Sequence, residues 1–230
     1  MVADRLYGRY KKNNSASMDG ENVDSEEIEG WDKESERAWK NDTHDVEFPT
    51  VVVEALRKLV PEKAHVLDAG AGIGKHVRAF IKLGYIVTGV EQSKVGANYS
   101  RVLNPEARIF NMRIQEMTFN EEFDLIHTSA VLQHSLHERK VGILQKFHAA
   151  LKLNGCYLCT ENTLTPENVH HHFLKKDGGF EQVQFSETAT DGYSFTEQGW
   201  INFMAKNNFR HVRTILPWPY YFWRRIEGKE

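Results

Sequence analysis

The sequence is short of cysteine, of basic runs and of long apolar stretches, and each shortage closes a class of function. Two cysteines occur in 230 residues, so an iron–sulfur cluster, which needs three or more clustered thiolates, has no ligand set. Cys156 and Cys159 have the CxxC spacing of redox and zinc sites, but they lie in GCYLCTE, an apolar run that reads as a buried strand. Side chains three apart on a strand point to opposite faces, so both are expected to be ordinary core cysteines. A net charge of −3 and the lack of any run of basic residues argue against a general nucleic-acid binder and a polybasic membrane anchor. No apolar stretch approaches the roughly 20 residues that span a bilayer. The start, MVADRLYGRYKKNNSAS, lacks the apolar core of a secretory signal. The expectation is a soluble, cytoplasmic protein.

What is present suits one α/β domain with an appendage: 40% of the residues are hydrophobic and 11% aromatic, enough for a sizeable core. Residues 1–28 are polar and acidic, and read as a flexible tail or one that orders on binding. Residues 29–230 read as a single domain. WDKESERAWK places Trp31, Ser35 and Ala38–Trp39 near one helical face, and TVVVEALRKLV reads as an amphipathic helix capped near Thr50. Strand and helix then alternate. HVLDA, YIVTGVE, ARIFNM, FDLIHTSA and CYLCTEN are expected strands, the last entered through a Lys152–Gly155 turn. KHVRAFIKLG, VGANYSRVL and HERKVGILQKFHAAL are expected helices, the first ending at Gly84. That rhythm implies a parallel sheet with helices on both faces. It breaks after Asn162, where residues 163–193 read as a polar, aromatic insertion covering a substrate. A helix opened by Ser194 or Thr196 and two strand-like runs, FRHVRTIL and YYFWRRI, end the chain.

The turn Asp68-Ala-Gly-Ala-Gly-Ile-Gly74 between the first strand and a helix is a nucleotide-binding device. Bare glycines let backbone N–H groups approach a ligand, and the helix start favours negative charge. Dinucleotide enzymes space their glycines G-x-G-x-x-G. Here Gly70, Gly72 and Gly74 are spaced G-x-G-x-G, with Asp68 two residues ahead. An acid there is awkward beside a pyrophosphate but suits an ammonium group, as in the methionine part of S-adenosylmethionine. Glu91, ending the second strand, can accept two hydrogen bonds from ribose hydroxyls.

VLDAGAGIGKH and VTGVEQS resemble the first two motifs of the class I S-adenosylmethionine-dependent methyltransferases. FNMRIQEMTF is similar to their third, FDLIHTSAVLQH to their fourth and LKLNGCYLCTEN to their fifth. The resemblance covers residues from about 50 to 165 and implies a Rossmann-like, seven-stranded sheet, mostly parallel, with an antiparallel C-terminal edge strand. It implies a methyltransferase of class EC 2.1.1 that turns S-adenosylmethionine into S-adenosylhomocysteine. The cofactor would lie on Asp68, Gly70, Gly72, Gly74, Glu91, Gln92 and Ser129, with Ile114 and Gln115 flanking adenine. Family members often carry an aspartate where this chain has Arg113, so Gln115 or a backbone carbonyl would meet the adenine amine.

Methyl transfer from a sulfonium needs alignment and, for some acceptors, removal of a proton. His134 is the candidate general base, against a structural role in its loop. Glu161 and Asn162 are candidates to accept from an ammonium, against an ordinary solvated strand end. Three consecutive histidines, His170–His172, cannot share one face of an element, so no metal site is expected. They are expected to line the substrate cleft with Phe173 and Phe180, and Tyr7 and Tyr10 are candidates for a lid. No Asn-Pro-Pro-Tyr follows strand four, which disfavours methylation of nucleic-acid bases. The chain also resembles the protein N-terminal methyltransferases in its AGAGIG turn, its tryptophan-bearing helix and Glu161-Asn162. A small-molecule amine, hydroxyl or carboxyl is the first expected acceptor and a peptide N-terminus the second. A binding module without catalysis is the reading from another class, and either a monomer or a homodimer fits.

Overall fold

The computed structural model describes residues 20–41, 44–161, 163–167, 173–176, 179–182, 184, 186, 194–216 and 219–227. Each expected run becomes the expected element. The strands are β1 (His65–Ala69), β2 (Ile86–Glu91), β3 (Arg108–Asn111), β4 (Phe123–Ser129) and β5 (Leu151–Thr160), joined by α-helices except between β3 and β4, where only the 3-10 turn Ile114–Glu116 stands. The helices are α1 (Gly20–Asn41), α2 (Thr50–Leu59), α3 (Lys75–Lys82), α4 (Lys94–Leu103), α5 (His137–Ala150) and α6 (Glu197–Lys206). A hairpin of β6 (Phe173–Lys176) and β7 (Gly179–Gln182) stands apart, and β8 (Phe209–Ile215) and β9 (Tyr220–Arg225) complete the sheet.

The seven-stranded sheet runs in the order β3-β2-β1-β4-β5-β9-β8. Strands β1 to β5 pair in parallel, and β9 pairs antiparallel with both β5 and β8. The mixed, Rossmann-like sheet is therefore as expected, with one refinement. The antiparallel strand β9 is one place in from the edge, and β8 forms the edge itself. Strand alternation splits the core into two layers. Val66, Val87, Leu125, Cys156 and Phe222 face one way, onto Val52, Leu56, Val77 and Phe80 of α2 and α3. Leu67, Val90, Ile126, Cys159 and Trp223 face the other, onto Ile143, Leu144 and Phe147 of α5 and Trp200 and Met204 of α6. The two cysteines thus lie on opposite faces, both buried and free. Burial pushes the Cys156 thiol up to about 12.

Local punctuation is resolved at two expected helix caps and differs from expectation in two other places. Pro49, not Thr50, is the N-cap of α2, and Thr50 is its first helical residue. The Lys152–Gly155 turn is a bulge inside β5, with Asn154 at φ 62°. Thr196 rather than Ser194 caps α6, accepting from Gly199 N at 3.2 Å. Helix α1 begins at Gly20, so residues 20–28 of the expected tail are helical. Glutamates are good helix formers, which suits the run GENVDSEEIE to a helix. Residues 1–19, with Tyr7 and Tyr10, lie outside the described residues. Among those described, no helix is long and apolar enough to cross a membrane.

Candidate active site

The strand order reverses between β1 and β4, and a crevice opens there beyond the carboxyl ends of the strands. Three glycines shape its floor. Gly70, Gly72 and Gly74 have φ of 83°, 53° and 88°, the left-handed region that other residues avoid. Gly70 N and Ala71 N donate to Val90 O at 2.8 and 3.0 Å, which ties the loop to the end of β2. Glu91 completes that end. Its carboxylate accepts from Gly72 N and Ser93 N, both at 2.7 Å. Burial raises its carboxyl above the ordinary range, and the Ser93 and Gly72 amides work against that rise.

Ser93 joins floor to roof. As N-cap of α4 it accepts from Gly96 N at 2.9 Å, and its hydroxyl donates to Asp32 Oδ1 of α1 at 2.5 Å. Ser35 Oγ donates to Ser93 Oγ at 3.3 Å. Trp39 stacks on Tyr99 with ring centroids 4.4 Å apart, and Glu27 pairs with Arg139 of α5 at 3.8 Å. Helix α1 therefore lies across the crevice and lines one side of a partly open cavity of about 260 Å³. Ser93→Ala is expected to cost about 1–2 kcal/mol, because it removes a cap and a tether together. Urea unfolding reads the first loss and faster proteolysis within α1 the second.

Eight of the twelve candidate residues line this cavity: Gly70, Gly72, Glu91, Gln92, Ile114, Gln115, Ser129 and His134. Gly74 lies beneath the loop as N-cap of α3. Asn162 falls outside the described residues, as do His170–His172. Two candidates are placed elsewhere than expected. Asp68 is not among the residues that line the cavity, and its Oδ2 is buried without a hydrogen-bond partner. On β1 it shares a face with Val66, turned toward α3, and His127 Nδ1 donates to its Oδ1 at 2.7 Å. Both side chains are at most 3% exposed. Glu161 also turns away, accepting from Leu132 N at 3.2 Å and Gln133 N at 2.8 Å.

His134 faces the cavity, with its ring edge-on to Trp31 at a centroid distance of 5.2 Å. Burial, and secondarily Lys140, lowers its pKa to about 4, so the imidazole is neutral near pH 7. His76, which also lines the cavity, is lowered to about 4 by burial and by His127. Sequence reasoning missed the roof residues Glu27, Trp31, Glu34 and Ser35 as parts of the site. The helical face carrying Trp31 and Ser35 was visible, but nothing local told what it would cover. Lys75 and His127 were missed as well. The signal for His127 was an imidazole inside the otherwise apolar strand FDLIHTS.

Residues 66–155 match the family model of a methyltransferase domain. The chain is 25% identical over 159 residues to the alpha N-terminal protein methyltransferase 1 of Drosophila melanogaster. That match takes in 58% of this chain and 56% of the relative, so it spans little more than half of that protein's length. Among solved structures, the 1,6-didemethyltoxoflavin-N1-methyltransferase of Burkholderia thailandensis, which holds 1,6-didemethyltoxoflavin and S-adenosylhomocysteine, aligns with a TM-score of 0.60 at 18% identity. It covers 89% of this chain and 88% of its own. An S-adenosylmethionine-dependent methyltransferase from Methanosarcina mazei aligns at 0.61 with 14% identity, over 80% of this chain and 100% of its own. These structural likenesses concern the fold.

Proposed function

We propose that this chain, a class I S-adenosylmethionine-dependent methyltransferase by its domain match and fold, binds that cofactor between the Gly70–Gly74 loop and helix α1. It passes the methyl group to an amine, hydroxyl or carboxyl of a small molecule. One observation carries the reading: Glu91 stands at the tip of β2, on the cavity wall, beside a loop of left-handed glycines. Its two amide partners leave each carboxylate oxygen a further lone pair for a ribose hydroxyl. Ile114 and Gln115 flank the adenine. Lys75, the one lysine or arginine among the described lining residues, begins α3 and suits the methionine carboxylate.

When bound, the cofactor supplies a methyl group on an electrophilic sulfonium. The protein contributes enclosure and alignment. Helix α1 covers part of the crevice; Ser129 and His134 both line the cavity, and His134 is the one we assign to the methyl acceptor. A neutral imidazole lowered to about 4 is a weak base but a good hydrogen-bond acceptor, so His134 orients the acceptor's N–H or O–H.

A peptide N-terminus is the second reading. It is favoured by the acids Glu27 and Glu34 and the indole of Trp31 on the roof, a combination that attracts a cationic amine. The likeness to the Drosophila alpha N-terminal protein methyltransferase points the same way. Two free, buried thiols suit a reducing, cytoplasmic setting. Isothermal titration with S-adenosylmethionine and with NADH tests the cofactor: the first should bind and the second should not, and the reverse pattern overturns the proposal. Transfer of labelled methyl from S-adenosylmethionine to a panel of amines, phenols, carboxylic acids and short peptides then tests turnover. Binding without any transfer favours the non-catalytic module instead.

A further inference from the structure

The turn carrying His134 is short and poorly self-supported. It is a three-residue 3-10 helix, Leu132–His134, entered through Ala130 at φ 55° and held internally by His134 N to Val131 O and Ser135 N to Leu132 O. A non-glycine residue in the left-handed region persists only where its surroundings fix it. Ala130 N donates to Thr160 O at 2.9 Å, and ionisable side chains hold the rest of the turn. Glu161, just past β5, accepts from the amides of Leu132 and Gln133. Lys140, on the first turn of α5, donates from Nζ to Ser135 O at 2.5 Å. Glu161 is 7% exposed and Lys140 2%. Both line a small cavity behind the turn, together with Gln133 and Trp200. Burial pushes the Glu161 carboxyl up to about 7, with Lys140 and the two amides working against that rise, and the two side chains are placed so that each grips backbone at one end of the same turn.

We infer that Glu161 and Lys140 are positioning residues that clamp the two ends of the Leu132–Ser135 turn and so set where His134 meets the methyl acceptor. The inference rests on the reading that transfer occurs in the cavity His134 faces. It gives Glu161, which does not touch that cavity, a role other than amine recognition. The turn also presses on the cofactor loop, since a Cβ added at Gly70 would lie 2.5 Å from Val131 Cγ2. The clamp therefore fixes the acceptor wall relative to the glycine floor.

The test uses the full chain saturated with S-adenosylhomocysteine, comparing wild type with Glu161→Gln by nuclear magnetic resonance. The substitution keeps the size of the side chain but turns an NH2 group toward an amide donor. The amides of Leu132 and Gln133 are expected to exchange about tenfold faster, beyond any change at Leu125 and Ile126 of β4. The His134 titration midpoint is expected to rise from about 4 toward the ordinary histidine value as the turn loosens and the ring gains water. Burial pushes the Glu161 carboxyl up to about 7, so it is already neutral where His134 titrates, and its replacement by glutamine removes no charge there; a rise therefore reads loss of position. Affinity for S-adenosylhomocysteine is expected to stay within about twofold. A midpoint that stays or falls, or exchange at the turn that changes no more than in β4, overturns the inference. Should Glu161→Gln fail to fold, Glu161→Asp, which keeps the charge on a shorter stem, is read by the same two measurements. A wild-type chain that does not bind S-adenosylhomocysteine sinks the proposed function instead, and the clamp is then judged from the unliganded chain.

Discussion

Glu91→Ala is expected to weaken S-adenosylmethionine binding on the order of 100-fold, the equivalent of about 3 kcal/mol. The loss has two sources. The ribose hydroxyls lose a charged acceptor, worth about 1.5–3 kcal/mol. The amides of Gly72 and Ser93, each 2.7 Å from the Glu91 carboxylate, lose their partner, so the glycine loop slackens where the cofactor must lie on it. Glu91→Gln, which keeps the shape and one acceptor oxygen, should fall between wild type and alanine. Titration calorimetry well below the unfolding temperature separates this from global destabilisation, and an unchanged dissociation constant in Glu91→Ala removes the ribose assignment. The sign of the pH effect follows from the same burial. The carboxyl of Glu91 is raised above its ordinary range, and only its ionised form accepts two hydroxyls. Affinity should therefore fall on acidification at a higher pH than an exposed glutamate would give.

Gly74→Ala is expected to destabilise the fold by about 3–4 kcal/mol, the sum of backbone strain and a clash. At φ 88° an alanine is strained. Its Cβ would stand 2.5 Å from both Asn104 Nδ2 and Ser100 Oγ, and 3.0 Å from Ser100 Cα. Asn104 cannot simply swing aside, because its Nδ2 donates to Gly74 O at 3.0 Å and Ser100 O at 3.1 Å. Gly72→Ala is the contrasting case. Its φ is 53° and an added Cβ meets nothing within 4 Å, so stability should fall by only about 1 kcal/mol. Gly72 lines the cavity, however, and its substitution should reduce cofactor affinity more than stability. Urea unfolding paired with calorimetry reads both quantities, and equal effects at the two glycines would contradict the division between a packing glycine and a ligand-facing one.

The alternation of strands and helices from His65 to Thr160 was legible in the sequence because it is written in near neighbours. Runs such as HVLDA and YIVTGVE carry strand character within five to seven residues, and the glycines after β1 declare positive φ by type alone. The same local logic placed Cys156 and Cys159 on opposite faces. Where a strand-end acid points was not legible. Asp68 and Glu91 look alike as strand-end acids, yet one gives its Oδ1 to His127 with Oδ2 left buried, and the other faces the cavity. Glu161 stands at a strand end as well, and a turn arriving from β4 captured it. The roof was hidden for a similar reason: helix α1 is docked on Ser93 and Tyr99, about 60 residues further along the chain.

The sequence by itself thus determined the sheet of alternating strands and helices, the glycine floor and Glu91 at the tip of β2, since periodicity and backbone freedom are properties of short segments. Only the tertiary structure decided that α1 lies over the crevice, that Asp68 meets His127 and that Glu161 bonds the amides of Leu132 and Gln133. Each of those outcomes is a competition for one polar group among partners brought together by folding, and it is settled by whichever donor arrives within hydrogen-bonding distance as the segments pack.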